Sequence, residues 1–207
     1  MVGFNRRFSP LAQQARDFFG GRDTPLSLVY RVNAGLIPKD HWIQNEHEGG
    51  GRIIGEVCHF IDLMSFLTSA QPITVFAQAV SAKLEKTIDA DSVLITLKYS
   101  DGSNGTIAYL AEGDKALAKE RVEIFGAGKS FVLDDYRHAT TYKDGREQTV
   151  NLKVQDKGQR DQVKAICASL ENGSAAPISL EDLVLTTRTT FRILDSLREG
   201  MPAAVEL

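Results

Sequence analysis

The sequence predicts an α+β fold: an open, mostly antiparallel sheet with helices packed on one face. Three observations predict it. Between residues 73 and 154, short segments rich in β-formers follow one another, separated by turn dipeptides such as Asp101-Gly102 and Asp144-Gly145. Segments of helical period flank this run on both sides. A regular βα alternation opening on a glycine-rich turn is missing, so no complete dinucleotide-binding Rossmann domain is predicted.

The elements follow in order. Met1-Val2-Gly3-Phe4 reads as a short strand before the polar Asn5-Arg6-Arg7, either a strand entered partway or an edge strand at a natural terminus. Ser9-Pro10 supplies an N-cap and an N1 proline for a helix to about Phe19, stopped by Gly20-Gly21. Residues 26–32 read as a strand, and a polar loop from Pro38 carries His41, Trp42 and the acidic stretch 45–48. After Gly49-Gly50-Gly51, the apolar residues Ile53, Val57, Ile61, Met64 and Leu67 recur in steps of three and four, which predicts a helix over 52–68 with one buried stripe. Strands are expected at 73–80, 92–99, 105–111, 121–125, 130–133, 140–142 and 147–154. Two helices close the chain. The first, 160–170, carries Val163, Ile166, Cys167 and Leu170 on one face; the second begins at the cap Ser179 and runs through Arg198.

Composition narrows the function. The 207 residues are 43% apolar and 25% charged with net charge −3, and no dense Lys/Arg run occurs. Clustered positive charge is what a nucleic acid or an anionic membrane requires, so neither partner is expected. No apolar run has the length of a membrane span. The two cysteines, Cys58 and Cys167, sit in helical segments and suggest buried thiols in the reducing cytoplasm.

Chemistry concentrates after the glycine run. Glu56 and His59 lie one turn apart on a face distinct from the buried stripe, and Asp62 follows three residues later, where a carboxylate can steady an imidazole. A histidine so supported suits proton transfer to or from a hydroxyl, and a packed or solvated helical histidine is the alternative. His41, Glu46, His47, Glu48, Glu56 and His59 match no standard ligand spacing, so no metal is expected. Gly126-Ala127-Gly128-Lys129-Ser130 is similar in composition to a phosphate loop, but Glu123 stands where that motif needs glycine and a strand follows instead of a helix; a hairpin turn is predicted.

The stretch from Gly49 to Leu63, with Val2-Gly3-Phe4-Asn5-Arg6-Arg7-Phe8-Ser9-Pro10, resembles the glucose-fructose oxidoreductase, inositol dehydrogenase and rhizopine-catabolism (Gfo/Idh/MocA) family. The order of elements is similar over essentially the whole chain. The resemblance implies a dihydrodipicolinate reductase-like C-terminal domain of a two-domain dehydrogenase. Residues 1–8 would be the junction, residues 9–207 the substrate-binding, catalytic and oligomerisation domain, and the Rossmann domain would be absent. It implies NAD or NADP, bound mainly by that absent domain, and a sugar, nucleotide-sugar or polyol as substrate. His59 falls on the family's catalytic histidine and Asp62 on an orienting aspartate. Asn5 and Arg7 would lie near the nicotinamide, Asn33 and Trp42 on the substrate side. The family's acid four residues before the histidine falls on Gly55, with Glu56 adjacent. The Glu-Lys-Pro lysine of the Rossmann domain has no counterpart, since Glu85-Lys86-Thr87 lacks the proline and reads as a solvated turn. A homodimer or larger homo-oligomer is expected through the open sheet face. The chain alone would be inactive. A non-catalytic sheet module for dimerisation or small-molecule binding is the other reading.

Overall fold

Alternating burial shows how the sheet forms. In β3 (Val93–Tyr99) the odd positions are buried and the even ones exposed, so one face packs under helices while the other stays open. The computed structural model describes residues 2–38, 40–45, 47–80 and 92–206. Its other strands are β1 (Ser27–Asn33), β2 (Pro72–Ala79), β4 (Asn104–Leu110), β5 (Glu120–Gly126), β6 (Lys129–Asp134), β7 (His138–Lys143), β8 (Arg146–Asn151) and β9 (Ala203–Ala204). They join in the order β8-β7-β6-β5-β1-β4-β3-β2-β9, antiparallel throughout except for the β1–β4 pair. The expected α+β architecture is the one observed.

The turn chemistry is as the sequence reads. Ala127-Gly128 and Asp144-Gly145 have positive φ at both central positions and close two-residue hairpins, so the Gly126–Ser130 segment is a hairpin turn. The Glu85-Lys86-Thr87 segment lies outside the described residues.

Helix α1 (Pro10–Phe18), α2 (Cys58–Thr68) and α4 (Leu180–Glu199) cover the buried face. Every residue of the predicted stripe, Ile53, Val57, Ile61, Met64 and Leu67, is buried in one core with Tyr30, Tyr109, Ile95 and Ile107.

Several local expectations give way. Among the described residues Val2 to Phe4 pair with no strand; the chain coils through Phe4 N–H to Val2 O and Asn5 N–H to Gly3 O contacts, turning the Phe4 ring inward. Ser9 precedes α1 but its hydroxyl donates to Asp156 O at 2.7 Å instead of capping the helix. The helix after the glycine run is not regular: Ile53–Val57 form a π-helical turn before α2 begins. In α3 (Gln159–Glu171) the apolar face looks outward, with Leu170 78% exposed and Gln162 the buried residue. Cys167 is exposed and Cys58 only half-buried, against the expectation of two buried thiols. The last strand of the predicted run ends at Asn151, short of residue 154, and β9 carried no sequence signal.

Candidate active site

The glycine run packs backbone against backbone. A Cβ on Gly49 would stand 2.3 Å from the Ile43 Cα, and Gly50 and Gly51 have φ of +67° and +81°, so only glycine delivers the chain into the helix at this angle. The helix then carries Glu56 and His59 on its half-buried side.

His59 packs edge-on against the Phe4 ring, with centroids 5.6 Å apart and planes at 82°. Its Nδ1 is buried with no hydrogen-bond partner among the described residues. Burial first, and the Arg6 cation second, push the imidazole down to about 4. The ring is therefore neutral near pH 7, the form that accepts a proton.

Glu56 is not free beside it. Its carboxylate accepts hydrogen bonds from Tyr109 Oη and Lys119 Nζ, each at 2.5 Å. Burial works against the ionised form, but Lys119 and Tyr109 outweigh it and hold the pKa below its ordinary value. The Glu56 charge favours an imidazolium at His59 and so can steady the ring once it has taken a proton. At position 55 a Cβ would meet the end of the Ile43 side chain at 3.2 Å, a tight contact that a small shift of Ile43 would relieve. The acid one residue on, Glu56, is anchored by Tyr109 on β4 and by Lys119 before β5.

Asp62 does not orient His59. It is fully buried, and both its oxygens are taken by the Arg7 guanidinium at 3.0 and 2.5 Å. Burial pushes its carboxyl up to about 6 against the pull of Arg7. The expectation failed because residue 62 points under the helix toward the incoming chain, where a guanidinium already sits. Arg7 also reaches Asp182 at 3.1 Å, and Asn5 donates to Lys157 O at 2.8 Å, so both junction side chains are committed inward. Neither provides a cradle for a dinucleotide, and no glycine-rich βα turn occurs among the described residues.

On the substrate side, Asn33 at the end of β1 is buried and donates to Asp114 O (2.7 Å) and Leu117 O (3.0 Å), fixing the loop before β5. That loop, Asn33, Lys119 and Asp135 line a cleft of ≈ 470 Å³. Lys119 thus connects the cleft to Glu56 and to the surroundings of His59. Trp42 sits in the 3-10 turn Trp42–Gln44, 59% exposed, its indole beside the His41 ring. The structure brings Glu56, His59 and, through Lys119, Asn33 into one neighbourhood; the exposed Trp42 indole lies on the loop whose Ile43 packs against Gly49 and Gly55. No group of three or more metal-ligating side chains is close enough to hold an ion among the described residues, and Glu46 lies outside them.

Sequence reading missed the base of the site. Glu120, fully buried, is forked by Arg6 (2.7 and 3.0 Å), bonded by Lys157 (2.7 Å) and by Tyr30 Oη (2.5 Å), and Tyr30 in turn meets Tyr136 Oη at 3.0 Å. The signal available was Arg6-Arg7 set between Phe4 and Phe8, a charged pair in an apolar frame.

Comparison with known proteins agrees with the fold. An oxidoreductase domain protein from Kribbella flavida superposes with a TM-score of 0.83 at 17% identity, over 100% of this chain and 66% of its own. An aldose-aldose oxidoreductase from Caulobacter crescentus gives 0.81 at 17%, over 99% and 63%, and an NAD binding oxidoreductase from Klebsiella pneumoniae 0.81 at 16%, over 100% and 66%. The chain thus spans just under two thirds of these solved chains. No curated protein matches in sequence. The profile of the GFO/IDH/MocA C-terminal domain matches residues 24–132, more than half of the chain. The protein belongs to the GFO/IDH/MocA C-terminal domain family.

Proposed function

We propose that this chain is the substrate-binding and catalytic part of a nicotinamide-dependent oxidoreductase acting on a hydroxyl or carbonyl of a sugar, nucleotide-sugar or polyol. One observation carries the reading: a half-buried imidazole at the start of α2, neutral near pH 7, its charged form supported by Glu56, whose partner Lys119 lines the cleft with Asn33. His59 takes the proton of a substrate hydroxyl in oxidation or returns it in reduction. A positioned general base of this kind contributes about 10²–10⁴-fold in rate. A nucleotide-binding domain would hold NAD or NADP, which in its oxidised form would accept the hydride and in its reduced form would donate it. Asn33 lines the cleft offered to the substrate, while Asn5, Arg7 and Asp62, bonded inward, brace the turn beneath α2. Residues 1–8 form the junction and 9–207 the substrate domain.

The experiment compares NADH binding and turnover by this chain and by a version joined to a nucleotide-binding domain. Tight NADH binding by the chain alone would contradict the reading. In the joined enzyme, His59→Asn is expected to lower kcat by about 10²–10⁴-fold; turnover equal to the parent's would remove His59 from the chemistry.

The open sheet face exposes Val29, Leu94 and Phe125 among polar neighbours. We propose that it pairs with a second copy. Sedimentation at micromolar concentration is expected to show a dimer or larger species, and a clean monomer refutes it. Location is proposed to be cytoplasmic, consistent with two free cysteines and with no described helix long and apolar enough to cross a membrane.

A further inference from the structure

Asp135, at the corner between β6 and β7, lines the same cleft as Asn33, Lys115 and Lys119, on a backbone of unusual shape. Asp135 and Tyr136 take φ of +46° and +54°, the left-handed region that residues with a side chain rarely adopt. Surrounding contacts hold the corner there. Asp135 N–H donates to Glu120 O at 2.7 Å, Asp156 N–H donates to Tyr136 O at 3.0 Å, and the Tyr136 ring is fully buried. Outliers fixed in this way by their surroundings gather at ligand sites. Here the corner brings a carboxylate to the cleft wall. Gln155 Nε2 donates to its Oδ2 at 2.8 Å, whereas Oδ1 is buried with no hydrogen-bond partner among the described residues. The Lys119 ammonium of the same cleft is bonded to Glu56 instead.

A second acceptor of the cleft is in the same state. Asn33 is only 7% exposed, its Nδ2 is taken by the carbonyls of Asp114 and Leu117, and its Oδ1 has no partner among the described residues. A Cβ on Gly113 would stand 2.1 Å from that oxygen, so the loop leaves it room only with glycine there. Two buried acceptors without donors, on one cleft, call for a ligand that donates. The cleft, ≈ 470 Å³, has the size of a small-molecule pocket.

We propose that Asp135 is a specificity-determining residue: its Oδ1 accepts a hydrogen bond from one hydroxyl of a sugar or polyol in the cleft, and Asn33 Oδ1 offers the second acceptor. The proposal rests on reading the cleft as the substrate's place, but its test is binding, not turnover. Myo-inositol, D-glucose, D-xylose and glycerol are titrated into the 207-residue chain. NMR follows the Asn33 side-chain amide, the backbone amides of 113–119 and the His59 ring. At least one polyol is expected to shift the cleft signals. In Asp135→Asn the amide oxygen turns to the Gln155 donor and the NH₂ group to the cleft, so that polyol should bind about tenfold more weakly or worse. Asparagine also tolerates the left-handed backbone, so the corner is kept. Equal affinity in the folded variant, with water alone serving the two oxygens, overturns the proposal and leaves the oxidoreductase reading standing. So does a His59 ring that shifts while the cleft stays silent. Silence of every signal with all four polyols overturns the proposal as well. Should Asp135→Asn not fold, deoxy and deoxyfluoro forms of the bound polyol decide. A hydroxyl that donates to Asp135 is missed equally in both, because fluorine cannot donate; loss in the deoxy form alone, or at no position, overturns the proposal. Binding through Asp135 without any turnover in the joined enzyme would keep the site and remove the oxidoreductase reading.

Discussion

Arg6 and Arg7 are consecutive residues of one 3-10 turn, and each forks a carboxylate with no solvent exposure, yet the two carboxylates behave oppositely. Burial raises both. At Glu120, the Arg6 fork and the Lys157 ammonium outweigh it and hold the pKa near 2. At Asp62, the Arg7 fork does not, and the pKa stands at about 6. The difference is one of partners. Glu120 has two cations to itself, whereas Asp62 shares its one guanidinium with Asp182, whose like charge adds to the cost of ionising. A short bidentate contact therefore says little about a buried carboxylate until the charges around both partners are counted.

The largest expected effect follows from removing the anion that two cations share. Glu120→Ala leaves Arg6 and Lys157 buried together and is expected to cost about 3–5 kcal/mol in urea denaturation. Asp62→Ala leaves Arg7 bonded to Asp182 and is expected to cost less, about 1–3 kcal/mol. An equal or larger loss at Asp62 would break the comparison. The Glu120 side also depends on backbone fit. At Gly158, φ is +85° and a Cβ would come within 2.4 Å of Ser9 N, so the segment carrying Lys157 can close on the Arg6 turn only through glycine. The left-handed conformation alone makes Gly158→Ala cost about 1–3 kcal/mol, and the same variant is expected to weaken the Glu120 site more than the Asp62 site.

The pH dependence separates the two sites by sign. With its folded pKa held near 2, below an ordinary 4.5, Glu120 contributes stability that is present above pH 4.5 and lost as pH falls through 2. With its folded pKa raised to about 6, Asp62 contributes stability present below its ordinary 3.8 and lost as pH rises through 6. The penalty of Glu120→Gln should therefore shrink in acid, while that of Asp62→Asn should be larger at pH 4 than at pH 7. His59, lowered to about 4, adds stability above 6.5 that is lost as pH falls through 4, so His59→Gln should flatten the decline of Tm over that interval. Parallel slopes for the Glu120 and Asp62 variants would sink the distinction.

What the sequence made legible follows the same division. Alternation in 93–99 and the three-four spacing from Ile53 to Leu67 report burial along one element, and both were readable because a sheet face or helix stripe repeats its environment. The glycine run and the Asp144-Gly145 turn were readable because backbone geometry demands glycine there. The partner of Asp62 was not: it lies 55 positions earlier in the chain, and helical spacing alone favoured His59. Nor could periodicity show the π-helical turn, whose apolar residues bury as an α-helix would bury them. In α3 the pattern was present but nothing among the described residues covers it, since a stripe states a preference and the packing decides whether it is met.

The smallest expected effect tests the explanation itself. Asp182 is half exposed at the first turn of α4, where Arg7 reaches it at 3.1 Å. A pair so open to solvent contributes about 0–1 kcal/mol, so Asp182→Asn should barely move the urea midpoint. Yet if the second carboxylate is what keeps Asp62 high, removing it must lower the Asp62 titration, read as the carboxyl carbon shift in an NMR pH series. Arg7 would then serve Asp62 alone, as Arg6 and Lys157 serve Glu120, and the two sites should converge. An Asp62 midpoint unmoved in this variant would place the whole difference in desolvation and take the sharing of Arg7 out of the account.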